Sequence, residues 1–222
     1  MGSKLIKEKT QVVEKVSPEK AIILAIDPSL NGAGFIKMKN FEVLDYWFFT
    51  NVVKNSKDPH ARFNKEFGSK RLNNIYEFYE GLLKNHKFDY CAIEDYAYGA
   101  KSNSVFQIGG LGEMIRLSTY RSGIPYRDYE PSKVKKFATE KGNAEKSEMV
   151  LAAYKAGFDV GMYGKNGEDL ADAYWIGAML TTELFLHKNK DYIGRFTRKQ
   201  QEVFSETSKA YPIPLLSRPF YK

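Results

Sequence analysis

The period of apolar and polar positions changes several times along the chain, and each change marks an element. Ala21-Ile-Ile-Leu-Ala-Ile-Asp27 is an unbroken apolar run closed by a carboxylate, the pattern of a strand buried on both faces. Pro28-Ser-Leu-Asn-Gly32 predicts a reversal, since Pro, Asn and Gly each favour turns. Residues 34–38 and 43–50 then read as two more strands around the polar Lys39-Asn40, completing a three-stranded antiparallel meander. Residues 51–62 are polar and loop-like. From residue 63 to 86, Leu72, Ile75, Tyr79, Leu82 and Leu83 recur at steps of three and four, which predicts an amphipathic helix. Residues 88–94 form a fourth strand that again ends in a carboxylate, Glu94. A helix over 104–121 follows, with Val105, Ile108, Leu111 and Ile115 on one face, then a fifth strand at 125–128. Pro131 opens a basic helix, and further helices are predicted over 144–156 and 169–186. After His187 the chain carries Pro212, Pro214 and Pro219 and is expected to be extended or disordered. This order implies an α/β layered domain with a mixed five-stranded sheet, three antiparallel strands followed by two parallel ones, flanked by helices.

The charge refines that picture. Residues 1–20 hold five lysines against three glutamates, and residues 187–222 hold eight basic against three acidic groups. The middle, residues 21–186, is neutral, so the net +7 lies in the two flanks. We therefore divide the chain into an N-terminal extension (1–20), a globular domain (21–186) and a basic C-terminal tail (187–222). Basic flanks suit an anionic partner such as nucleic acid. The single cysteine, Cys91, rules out a disulfide framework within one chain and points to a reducing compartment, hence the cytoplasm. His60, His86 and His187 are far apart, with no Cys/His zinc spacing. The apolar runs are too short to span a membrane and there is no secretory leader pattern, so no membrane partner is expected.

The acidic residues carry the candidate chemistry. Asp27 and Glu94 each close a strand as Ala-Ile-Asp and Ala-Ile-Glu, and in open α/β sheets sites form beyond the carboxyl ends of strands. Each could also simply start a turn. Asp169 and Asp172 stand three apart in Glu168-Asp-Leu-Ala-Asp172-Ala, which places both on one face of a helix. Two carboxylates about 5–6 Å apart repel by roughly 3 kcal/mol at an effective dielectric of 20. The alternative is an N-cap at Asp169 with Asp172 as a first-turn acid. Four carboxylates from two strand ends and a helix match the hard oxygen ligands of Mg²⁺. Two such ions can activate water and stabilise the leaving oxygen of a phosphodiester.

These residues resemble the RuvC-type Holliday-junction resolvases of the RNase H-like, retroviral-integrase-like superfamily. Ala25-Ile-Asp27-Pro-Ser-Leu-Asn-Gly-Ala-Gly34 is similar to that family's first-strand motif, Ala92-Ile-Glu94 to its fourth-strand motif, and Asp169-Leu-Ala-Asp172-Ala to its C-terminal Asp-x-x-Asp-Ala helix. Gly142-Asn-Ala-Glu-Lys146-Ser is close to the family's Gly-Ser-Ala-Glu-Lys-Ser. The resemblance covers residues 21–186 and implies an RNase H-like fold and a metal-dependent endodeoxyribonuclease that cuts four-way junctions symmetrically as a homodimer. It implies that Asp27, Glu94, Asp169 and Asp172 bind two Mg²⁺, with Mn²⁺ able to substitute, and that no nucleotide cofactor is used. Lys146 and Lys135 occupy its two functional lysine positions, where an ammonium can stabilise charge growing on a phosphate. Lys133, Lys136 and Lys141 lie around them as candidate DNA contacts. Ile108-Gly-Gly-Leu-Gly112-Glu-Met-Ile resembles the glycine-bearing helix through which family dimers pack.

The chain also departs from the family. Three residues after the strand-four Glu, where relatives often carry an aromatic that unstacks bases, stands Ala97, flanked by Tyr96 and Tyr98. Either tyrosine could stack on a base, and either could be a packing residue. Arg195, Arg198, Lys199 and Lys209 lie outside the resemblance and are candidates for further phosphate contacts. Two nearer alternatives stay open: a broader branched-DNA nuclease acting on flaps and forks, and a non-catalytic junction-binding protein. A third, the actin and sugar-kinase type of ATPase, would need a second Gly-rich phosphate loop that the chain lacks. Richness in Lys, Asn, Tyr and Phe suits a phage or low-GC bacterial source, and in the phage case the host cytoplasm.

Overall fold

The structure, a computed structural model, describes residues 16–30, 32–50, 65–96 and 105–210. Strand β1 (Ile22–Asp27) is central and pairs antiparallel with β2 (Gly32–Lys39), which pairs antiparallel with β3 (Glu42–Thr50). On its other side β1 pairs parallel with β4 (Tyr90–Glu94), and β4 with β5 (Tyr126–Tyr129), giving the order β3-β2-β1-β4-β5. The expected meander and two parallel additions are thus present. The β2–β3 hairpin turns on Asn40 and Phe41, both at positive φ, as a two-residue turn matched to strand twist requires.

Alternation along the strands assigns the two faces of the sheet. Leu24, Ile26, Cys91 and Ile93 point to α1 (Lys65–Asn85) and α2 (Val105–Arg121), packing with Ile75, Tyr79, Leu82, Leu111 and Ile115. Ile23, Ala25, Tyr90 and Ala92 point to the opposite core, built on α3 (Pro131–Thr139), α4 (Lys146–Lys155) and α5 (Lys165–Lys188). Continuing the same parity, Asp27 and Glu94 belong to the α5 face. The register pairs Ile26 with Ile93, so the two carboxylates stand one step further along neighbouring strands.

Two expectations need correction. Helix α5 begins at Lys165 rather than at Asp169, so Asp169 lies inside the helix and is not its N-cap. Gly164 and Gly167 disguise this first turn as loop; Gly167 sits in the helix because a Cβ there would come within 2.2 Å of the Val160 carbonyl oxygen. The stretch after His187 is also not extended. A 3-10 turn (Lys190–Arg195) leads into α6 (Arg198–Ala210), whose Val203 and Phe204 are buried, with Phe204 edge-on to Phe137 at 5.2 Å. Gln200 Nε2 donates to the Phe137 carbonyl at 2.8 Å, fastening α6 to α3. The three prolines that suggested an open tail all fall past the end of this helix. They lie outside the described residues, as do Ala97, Tyr98 and the loop expected at 51–62.

Candidate active site

Asp27 is buried at 7% exposure, at the end of β1 and opposite Gly34 of β2. Gly34 explains how α5 reaches it. A Cβ on Gly34 would lie 2.4 Å from the Asp169 carbonyl oxygen, so only glycine lets the helix backbone cross this close above the strand. That crossing brings Asp169, and Asp172 one turn later, over the carboxyl ends of β1 and β4. Gly34 read in the sequence only as part of a hairpin; nothing in the pattern showed what its missing side chain makes room for.

The four acids act on one another. Burial, then the charges of Glu94, Asp172 and Asp169, push the Asp27 carboxyl well above the usual range. Burial, with Asp172 next, lifts Glu94 to about 7, although a hydrogen bond from Asp27 and the charges of Lys135 and Lys146 pull the other way. Asp172 rises to about 6, mainly through burial, and Asp169 is raised for the same first reason. Among the described residues no three His, Cys, Asp or Glu side chains are drawn closely enough together to hold an ion as they stand. Burial together with the neighbouring acids favours the protonated forms of Asp27 and Glu94 in the absence of a cation.

Lys146 opens α4 and reaches the same cluster, with Nζ 3.2 Å from Glu168 and 3.6 Å from Asp169. Partial burial weakens its proton affinity, but Glu168 and Asp169 outweigh this and hold it above the usual value. The helix start that presents it is secured by a capping box between Glu145 and Glu148. Lys135 of α3 is near enough to lower both Glu94 and Asp172. Six of the expected residues therefore converge, with Glu168 as an added neighbour that the sequence signalled only by standing next to Asp169.

The remaining candidates are placed differently. Lys133, Lys136 and Lys141 are each held by a carboxylate: Glu130 at 2.8 Å, Glu202 at 3.1 Å and Glu148 at 2.6 Å. Arg198 and Lys199 open α6, near Glu202 at 3.8 Å and Glu140 at 3.9 Å, and Arg195 lies over the Tyr192 ring at 4.8 Å. Tyr96 is not presented as a free stacking surface. Its ring carries the Arg116 guanidinium at 4.5 Å and its hydroxyl donates to Glu113 at 2.8 Å, so it is a packing residue here. Cys91 is buried on the other face, with its thiol pushed up to about 12 by burial, and takes no part.

The family model described as crossover junction endodeoxyribonuclease RuvC matches residues 23–155. That span holds Asp27, Glu94, Lys135 and Lys146 and stops short of α5, so Asp169 and Asp172 lie outside the matched residues. A crossover junction endodeoxyribonuclease RuvC from Caldanaerobacter subterraneus subsp. tengcongensis is 29% identical over 129 residues, covering 57% of this chain and 73% of the relative. The protein of that name from Petrotoga mobilis is 30% identical over 132 residues, covering 58% and 74%. Among solved structures, Thermus thermophilus RuvC superposes with a TM-score of 0.53 at 18% identity, covering 75% of this chain and 96% of that one. The T. thermophilus RuvC in complex with Holliday junction substrate superposes at 0.54. Motif, sheet order and the match over more than half of its length agree: this chain belongs to the RuvC family of crossover junction endodeoxyribonucleases.

Proposed function

We propose that the protein is a metal-dependent endonuclease that resolves four-way DNA junctions by paired, symmetric phosphodiester hydrolysis. The observation that carries this reading is the convergence of Asp27, Glu94, Asp169 and Asp172 beneath two lysines at the carboxyl edge of β1 and β4. The residues fit a divalent cation. Buried carboxylates that raise one another's proton affinity form an all-oxygen donor set lacking positive charge, for which Lys146 supplies one ammonium. When bound, two Mg²⁺ ions, or Mn²⁺ in their place, would activate water and stabilise the leaving oxygen. Asp27 and Glu94 would hold such an ion in their ionised forms, which burial disfavours in the metal-free protein. Lys146 and Lys135 neutralise the scissile phosphate and the charge that grows on it. Hydrolysis adds water across the P–O3′ bond and leaves a 5′-phosphate and a 3′-hydroxyl.

Two symmetric cuts call for two sites related by a two-fold axis. Helix α2 supports a homodimer: Phe106 (90% exposed) and Leu117 share a stripe with Gly110, an exposed apolar face that a second copy would cover. Lys133, Lys136, Lys141, Arg195, Arg198 and Lys199 supply phosphate contacts, exchanging carboxylate partners for DNA. Tyr98 is left as the tyrosine for base stacking. The cytoplasm, or a host's cytoplasm, is where such a substrate is met, and among the described residues no helix is long and apolar enough to cross a membrane.

The test is cleavage of an end-labelled mobile four-way junction in Mg²⁺ beside linear duplex, flap and fork, with Asp172→Asn as control. Paired symmetric nicks on the junction alone, lost in Asp172→Asn, are expected. Equal cutting of every branched substrate would make it a general debranching nuclease; tight binding without cutting in Mg²⁺ or Mn²⁺ would make it a binder. Replacing Arg195, Arg198 and Lys199 with Ala should flatten the salt dependence of log affinity by about 2–3 in slope, and an unchanged slope removes them from the DNA path.

A further inference from the structure

A second charged cluster stands behind the site, where β4 ends. Its centre is Arg116 of α2, buried at 7% exposure. The guanidinium donates from Nε to Asp128 at 2.9 Å and from Nη2 to Asp95 at 3.3 Å. Nη1 donates to the Tyr96 hydroxyl at 2.8 Å, and the guanidinium also lies over the Tyr96 ring. The Tyr96 hydroxyl returns to α2 at Glu113 and at the Gly109 carbonyl. Room for this is built in at Gly112, where a Cβ would come within 2.6 Å of both Arg116 Nη1 and the Tyr96 hydroxyl.

The partners are not arbitrary. Asp95 directly follows Glu94, and Asp128 directly precedes Tyr129, the residue opposite Glu94 in the β4–β5 ladder. Asp95 also takes the Tyr96 backbone N–H on its carboxylate, and its own N–H donates to the Tyr129 carbonyl. One planar guanidinium thus joins the side chains of Asp95 and Asp128, which flank the pair that carries Glu94. Glu113, on the exposed stripe of α2, is tied into the same network through Tyr96.

We propose that Arg116, with Tyr96, is a positioning residue for Glu94: it clamps the end of β4 to β5 and relays the placement of α2 to the carboxylate site. This rests on the reading of Glu94 as a metal ligand. Lysine cannot replace it, because a single ammonium on a flexible stem does not bridge two carboxylates and a hydroxyl in a fixed plane. Partners of this kind behind a metal ligand typically change metal affinity or activity by about 10–100-fold when removed.

The experiment compares wild type with Arg116→Lys in two arms: melting temperature against Mn²⁺ concentration without DNA, and single-turnover cleavage of the four-way junction with affinity measured separately in Ca²⁺. Expected for Arg116→Lys are a lower metal-free melting temperature with the fold kept, a junction affinity near wild type, about 10-fold more Mn²⁺ for half of the stabilisation, and a cleavage rate about 10–100-fold lower. Wild-type Mn²⁺ response and rate, or a rate loss accounted for by weaker junction binding, overturns the proposal. If wild type does not cut but Arg116→Lys still needs more Mn²⁺, the nuclease reading falls and the clamp stands. Should Arg116→Lys fail to fold, Tyr96→Phe, which removes only the hydroxyl, must shift the Mn²⁺ response in the same direction, and no shift overturns the proposal.

Discussion

Asp27, Glu94 and Asp172 hold protons more tightly in the folded chain than in the unfolded one, chiefly because burial disfavours their charged forms. Between the ordinary carboxylate range and the raised values of about 6 for Asp172 and about 7 for Glu94, the native state binds more protons, so this cluster's contribution to stability falls as pH rises. The metal-free protein should therefore lose melting temperature between about pH 5 and pH 7.5, and Glu94→Gln should flatten that slope. Divalent cation should raise the melting temperature more at the upper end, where the carboxylates are ionised. Equal pH slopes in wild type and Glu94→Gln would show that the cluster is not the titrating unit. Asp27 and Glu94 were legible in the sequence as polar residues closing apolar runs, and Asp169 and Asp172 as a pair three apart on a helix. Arg116 was not, because a lone basic residue on an amphipathic helix looks the same whether it meets water or three acidic neighbours.

At the scale of elements, α5 decides the site. It lies against β1 and β2 through small residues, with Gly177 facing Ala25 and Gly34 facing the Asp169 backbone. Gly34→Ala places a methyl inside contact distance of a helix carbonyl that cannot move without the whole helix, so it should displace Asp169 and Asp172 together. A shift of about 1 Å can lower a rate by about 10²-fold, and this variant is expected to keep its circular dichroism spectrum while losing most cleavage. Full activity in Gly34→Ala would mean that α5 has slack at this crossing. Helix α6 shows how composition misleads: Arg, Lys, Gln and Glu dominate it, yet Val203 and Phe204 suffice to dock it on Phe137. Prolines further along the chain carried the wrong message about residues that precede them.

For the whole molecule, the basic excess of residues 187–222 is carried in part by α6, which docks on α3, and an excess of that sign suits a polyanionic partner. Helix α2 has the exposed apolar stripe that a second copy would cover, centred on Leu117 at 48% exposure. Leu117→Asp should shift the sedimentation coefficient from dimer to monomer and turn paired nicks into single, uncoordinated ones. A wild type that sediments as a monomer at micromolar concentration would take the dimer out of the account. The clamp at Arg116 joins this same helix to β4, so the two tests bear on one element from its outer and inner faces.

Local pattern was enough for the order and type of nearly every element among the described residues and for picking out the four acids, because strand parity, helical spacing and terminal carboxylates are local properties. It also carried the RuvC-type resemblance, since Ile-Asp-Pro and Ala-Glu-Lys-Ser are contiguous motifs. The early start of α5, the return of α6 onto α3 and the placing of Arg116 at the end of β4 come from the folded chain. Each of these depends on residues far apart in the chain meeting: Gly34 with Asp169, Phe204 with Phe137, Arg116 with Asp128. No local pattern records such a meeting, because either partner alone is equally consistent with a solvated surface.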